Sequence, residues 1–179
     1  MRLRILFIPA PAILSGACLA AGLIKVQIEE SDDMHVILGH AGFIKVAKGL
    51  YDTLISSSSG IKFGLAFAEA SGLRLIRREG KSGALKTLAD RNIMSIGACH
   101  SSIILFNETY LINAISELRR VLEVFGTYCA TINPAQVLLE TEQGRSILGI
   151  VDVMSPSGVE TKKDVEKRHR FPRGSGYKK

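Results

Sequence analysis

From Leu23 onward, stretches with apolar residues two apart give way to stretches with apolar residues three or four apart. "LIKVQIEE" sets Ile24, Val26 and Ile28 on a period-two pattern, which predicts a strand. Phe43, Ala47, Leu50 and Leu54 fall at helical spacing and predict a helix that ends near the polar break Ser56–Ser59 and Gly60. "IKFGLAFAEA" reads as a strand turned by Ser71-Gly72 into "LRLIRRE", a hairpin. Leu85, Leu88 and Ala89 mark a second helix, and "SSIILF" is a buried strand. Leu111, Ile115, Leu118, Leu122 and Phe125 form the apolar stripe of a third helix. "TYCATI", "AQVLLE" and "ILGIVDV" supply further strands. Strands and helices in this order predict a single α/β domain, a three-layer sandwich with a mixed β-sheet flanked by helices.

Composition agrees with one domain: 179 residues with 46% hydrophobic content make one well-buried core and are short for two. The cysteines Cys18, Cys99 and Cys129 form no CxxC pair and no Cys/His cluster, which gives neither a zinc site nor a disulfide framework and suits a reducing compartment. The net charge of +6 is local. Residues 160–179 carry eight Lys/Arg against three Asp/Glu, a basic tail belonging to the same domain, while the rest is nearly balanced. With no aromatic-interleaved basic face, that tail reads as a solvated charge run, and no nucleic-acid partner is expected. Residues 1–22, with a basic start, an apolar middle broken by Pro9 and Pro11, and small residues before Cys18, read as an extension outside the domain at 23–159. A start codon placed too early is the first reading and a secretory leader the second; the stretch is too short and broken for stable membrane association.

The chemistry-bearing residues gather where strands end. Glu69 and Ser71-Gly72 end one strand, Thr131 and Asn133 close another, and Glu142, Gly144 and Arg145 lie in a polar turn. Strand ends are where α/β sheets bind ligands, and Gly72 and Gly144 permit close backbone approach to phosphate. Asp152, in the apolar "GIVDVM", needs a partner, a ligand or a strand end to offset desolvation. His100 follows Gly97-Ala98-Cys99 before an apolar run and reads either as a packed core histidine or as a reactive one. Neither a Walker A motif nor GxGxxG occurs.

Together "VILGHAGFIK", "KFGLAFAEASGLRLIRREG", "IGACH", "YCATINPAQVLLETEQGRSILGIVDVMSPSGVE" and the terminal "GYK" resemble the adenosine-specific kinase family over about Leu23 to Lys178. The resemblance implies a cytoplasmic, homotrimeric phosphotransferase that binds adenosine and AMP and moves phosphate from ATP to adenosine by way of a histidine, here His100. It also implies Mg²⁺ accompanying ATP. Arg74 and Arg145 would then be the cations for phosphoryl oxygens, with Ser71, Gly72 and Gly144 as backbone donors. Asp152 or Glu69 would position a ribose hydroxyl or hold a metal, and Thr131, Asn133 and Glu142 would contact the nucleotide.

Four departures from the family pattern stand out. In "GHAGFIKV" the family's histidine is Gly42 and its glutamine is His40, so His40 is the substitute two residues earlier. Cys99 replaces a glycine beside His100, Val153 replaces a glycine after Asp152, and Pro172 is expected to interrupt the terminal helix. Gly42, Cys99 and Val153 motivate a second function, an adenosine nucleotide-binding or sensing protein without turnover.

Overall fold

A computed structural model describes residues 23–31, 34–43, 45–57, 60–107, 111–141 and 144–174. The expected extension at 1–22, Glu142 and the "GYK" block lie outside the described residues. The domain between them is α/β and has three layers. A five-stranded sheet ordered β4-β3-β5-β2-β6 sits in the middle. Its strands are β2 (His35–Ala41), β3 (Phe63–Ala68), β4 (Ile76–Gly80), β5 (Ser101–Phe106) and β6 (Val124–Thr131). A three-stranded sheet orders β1 (Ile24–Gln27), β7 (Gln136–Thr141) and β8 (Arg145–Val151) as β1-β7-β8. Every described strand pair is antiparallel.

Strand alternation sends the central sheet's apolar residues to both faces. Val36, Leu38, Ala66, Ile103 and Leu105 meet helix α2 (Gly83–Ile96) and the three-stranded sheet through Val137 and Leu139. Ile37, Leu65, Phe67, Ile104 and Phe106 meet helices α1 (Val46–Ser57) and α3 (Leu111–Leu118). Helix α2 starts at Ser82, whose side chain accepts from the Leu85 N–H, and ends at the left-handed Gly97, whose N–H returns to the Ile93 carbonyl at 2.9 Å. Buried Asn92 donates to the Glu29 carbonyl at 2.8 Å and accepts from the Glu29 N–H at 2.7 Å, tying α2 to the chain leaving β1.

Several boundaries differ from the pattern reading. Strand β2 has no expected counterpart, although it lies between β5 and β6. The buried stripe of α1 is Val46, Leu50 and Leu54, and Phe43 stands before the helix, exposed. The third helix stops at Leu118; Leu122 is 92% exposed and Phe125 belongs to β6. Strand β4 begins only at Ile76, and Asp152 lies just past β8. Pro172 does not interrupt the terminal helix α4 (Lys162–Gly174), because in its last turn it forfeits a single backbone bond where the helix is already ending.

Candidate functional site

One edge of the central sheet collects the ends of β2 and β3, the starts of β4 and β5, and the first residues of β6. His100 sits there, between the cap of α2 and β5. Its N–H donates to the Ala68 carbonyl at 2.8 Å, and its own carbonyl accepts from the Ala41 N–H at 2.9 Å. Both neighbouring strands thus clamp the backbone while the residue itself is exposed. That removes the packed-core reading of this histidine. Its φ is 63°, in the left-handed region that a side chain makes costly.

Strain of this kind is concentrated at this edge. Among the described residues the non-glycine positions with positive φ are Phe43, Arg74 and His100. Phe43 follows β2, Arg74 closes the loop before β4, and His100 precedes β5. Residues held in such conformations persist only where the surroundings over-determine them, and they cluster at functional sites.

Two irregularities in β6 bring aromatic rings to the same place. Leu38 pairs with Cys129 but Gly39 with Thr127, and His40 pairs with Gly126 but Ala41 with Val124. Tyr128 and Phe125 are therefore the extra residues of two bulges, which re-aim side chains. His40 lies 6.1 Å from His100 between ring centroids, stacks on Tyr128 at 6.1 Å and meets Phe125 edge-on at 5.3 Å. Phe43 meets Phe125 at 5.8 Å. A Cβ on Gly42 would stand 2.7 Å from the Phe125 ring, so the ring occupies space that a larger residue at 42 would take. Gly42→Ala is expected to push this half-exposed ring off His40, altering the His40 and His100 imidazole proton signals while the thermal midpoint barely moves. An NMR spectrum superimposable on the wild type would refute that arrangement.

The loop between β3 and β4 is organised by Glu69. Its carboxylate is buried, accepts from the Ser71 hydroxyl at 2.9 Å and lies 3.5 Å from Arg77 Nε. The Ser71 hydroxyl is the main cause holding the Glu69 pKa below the usual range, with the Ser71 N–H and Arg77 acting the same way against burial. Glu69 is thus an ionised acceptor at neutral pH. Because the folded pKa is depressed, its stabilisation is present above the unfolded value of about 4.3 and lost as pH falls through the folded value. The urea-midpoint difference between wild type and Glu69→Gln should be largest near neutrality and shrink below about pH 4. A difference constant with pH would contradict this role. Gly72 turns the same loop at φ 57°, the Arg74 N–H donates to the Ser71 carbonyl at 3.0 Å, and the exposed Arg74 side chain enters no ion pair among the described residues.

Arg145, at the start of β8, reaches the end of α2 that leads into this edge. Arg145 Nη1 donates to the Ser95 and Ile96 carbonyls at 2.6 and 3.2 Å, and the side chain lies against Gly97. The guanidinium thereby satisfies open carbonyls at a helix C-terminus, where positive charge is favoured, four residues before His100. Thr131 and Asn133 do not join the group. Thr131 pairs with Val36, four residues and about 13 Å along β2 from His40. Its hydroxyl accepts from the Asn133 N–H at 3.0 Å in a local turn. Asp152 lies just past β8 and near Cys129, whose thiol is pushed up to about 11 by burial, with Asp152 adding. The sequence reading missed Phe43, Phe125 and Tyr128; the one signal for them is Gly126, the small residue between two aromatics on a bulged strand.

The fold that carries this site is shared with a solved structure. The family model for adenosine specific kinase matches residues 26–178. The chain belongs to the adenosine specific kinase family. A crystal structure of the PH1918 protein from Pyrococcus horikoshii OT3 is similar to it at 34% identity and TM-score 0.85, covering 89% of this chain and 99% of that one. No curated protein matches this chain. Among the described residues no helix is long and apolar enough to cross a membrane.

Proposed function

We propose that this kinase-family protein binds adenosine and AMP and transfers phosphate from ATP to adenosine through a phosphohistidine at His100. The observation that carries the reading is the exposed His100 side chain on a clamped, left-handed backbone, flanked by the equally strained Phe43 and Arg74. An imidazole nitrogen of His100 attacks the γ-phosphorus, the bond to the bridging oxygen breaks, and ADP leaves. The adenosine hydroxyl then attacks the N-bound phosphorus, gives up its proton to solvent or base, and restores the imidazole. Arg74 supplies positive charge at the edge, and the turn that Ser71 opens by holding Glu69 presents the Gly72 backbone N–H to the phosphoryl oxygens. Gly144 borders it, while Arg145 serves by holding the α2 terminus that sets His100. Thr131 and Asn133 contact nucleotide in this reading only across a second surface, and Asp152 and Glu142 are carried as further contacts.

Mg²⁺ belongs to the proposal as the counter-ion of ATP. The homotrimer and the cytoplasmic setting, where ATP is the donor, are carried with it. The alternative, nucleotide binding without turnover, draws on the Phe125 ring standing where a side chain at Gly42 would project. One experiment separates the two: calorimetric binding of adenosine and AMP, followed by assay of AMP formed from adenosine and ATP. Binding with AMP production supports transfer. Saturable binding without AMP establishes the alternative, and no binding of either ligand removes both.

A further inference from the structure

We propose that His40 is a second catalytic residue, which takes the proton of the attacking adenosine hydroxyl as phosphate leaves His100. This role rests on phosphate being carried by His100. The two half-reactions ask different things of the protein. In the first, a neutral His100 nitrogen attacks phosphorus with its own lone pair, and no proton has to be removed. In the second, the acceptor is an alcohol, a weak nucleophile until a base takes its proton. The hydroxyl oxygen bonds to phosphorus, the phosphorus–nitrogen bond breaks, and its electron pair returns to His100. The proton goes to a His40 nitrogen and from there to water.

Backbone contacts fix the spacing of the two histidines. His40 pairs with Ser101, the residue after His100, and the Ala41 N–H donates to the His100 carbonyl at 2.9 Å. On its other side His40 pairs with Gly126. Ring centroids 6.1 Å apart are too far for the imidazoles to hydrogen-bond directly. With phosphorus between the His100 nitrogen and the attacking oxygen, that oxygen stands a phosphoryl group's width from His100. The spacing then sets it within hydrogen-bond reach of His40.

The half-buried His40 ring is held without engaging its nitrogens. Tyr128 stacks on it with an interplanar angle of 28°, and Phe125 meets it at 86°. Among the described residues no hydrogen bond or ion pair ties the imidazole. Aromatic contacts thus orient the ring and leave its nitrogens for a ligand. The neighbouring groups are less able to take the proton. The Glu69 carboxylate accepts from Ser71 and faces Arg77. Burial raises the Tyr128 pKa, so its phenol keeps its own proton. Glu123 turns toward α1, with Oε2 3.9 Å from where a Cβ on Gly49 would stand.

The test follows phosphate in two stages. Wild type, His40→Gln and His40→Ala are incubated with ATP labelled in its γ-phosphate, freed of nucleotide and then given adenosine, with thermal unfolding of each. Both variants should take up label as the wild type does and pass it to adenosine about a hundredfold or more slowly. Free imidazole should restore transfer to His40→Ala, and among substituted imidazoles of similar size the more basic should restore more. Filling a cavity would not follow basicity. Transfer from His40→Gln at the wild-type rate, or rescue indifferent to basicity, overturns the role of His40. Loss of labelling in a folded His40 variant does the same. A wild type that takes no label overturns the phosphohistidine at His100, and this role with it.

Discussion

Replacing His100 with asparagine is expected to abolish transfer of phosphate from ATP to the protein and to lower AMP formation roughly a thousandfold or more, as loss of a covalent nucleophile does. Asparagine suits the test because the position demands φ near 63°, which it tolerates better than most side chains. The backbone bonds to Ala68 and Ala41 are kept, since neither uses the imidazole. His100→Ala removes the nucleophile equally but lacks a polar side chain suited to that conformation, so its thermal midpoint should fall further than that of the asparagine variant. Wild-type label should be lost in acid and survive in base, the pattern of a phosphorus–nitrogen bond. Wild-type labelling of the asparagine variant would assign the phosphate elsewhere, and His40, with its ring 6.1 Å away, would be the next residue to replace.

How much of this was legible in the sequence depends on what each pattern encodes. Strands buried on one face, such as β1, announce themselves by alternation, and the runs in β3 and β5 by continuous apolarity. Strand β2 has both faces covered and a glycine at its centre, so "HVILGHA" shows no period and escapes a pattern search. The apolar stripe from Leu111 to Phe125 keeps helical spacing past the true end of α3 by coincidence. Only tertiary structure reveals that Leu122 faces outward and that Phe125 has entered a strand.

The site divides the same way. His100 stood out through its motif, but its exposure and left-handed backbone are products of the clamp between β2 and β3. Phe125 and Tyr128 reach His40 because two bulges shift the register of β6, and no residue pattern encodes such a shift. The pattern reading sets Thr131 and Asn133 at a strand end beside the other candidates, yet β6 carries them away from His100 along its length. Closeness in sequence along an extended strand means distance in space.

The second large effect concerns the contact that sets the layer behind the site. Helix α2 crosses β3 so closely that a Cβ on Gly64 would stand 2.2 Å from the Leu85 carbonyl carbon, 2.3 Å from its oxygen and 2.4 Å from the Lys86 nitrogen. These are backbone atoms of a helix pinned by Ser82 at one end and by Gly97 and Arg145 at the other, so they do not yield as a side chain would. Gly64→Ala must therefore lift α2 off the sheet, opening contacts of Leu85, Ala89 and Ile93 with the core. The expected cost is about 3 kcal/mol, the upper end for overpacking. For a domain of this size that lowers the thermal midpoint by about 6–12 °C. Gly83→Ala is the control: it lies in the first turn of the same helix, has nothing within 4 Å of the added carbon, and should be neutral or slightly stabilising. Because α2 delivers the Gly97–His100 turn to the sheet edge, Gly64→Ala should also cut AMP formation at temperatures where the protein remains folded. Equal midpoints for the two variants would mean that the approach of α2 to β3 does not limit the fold.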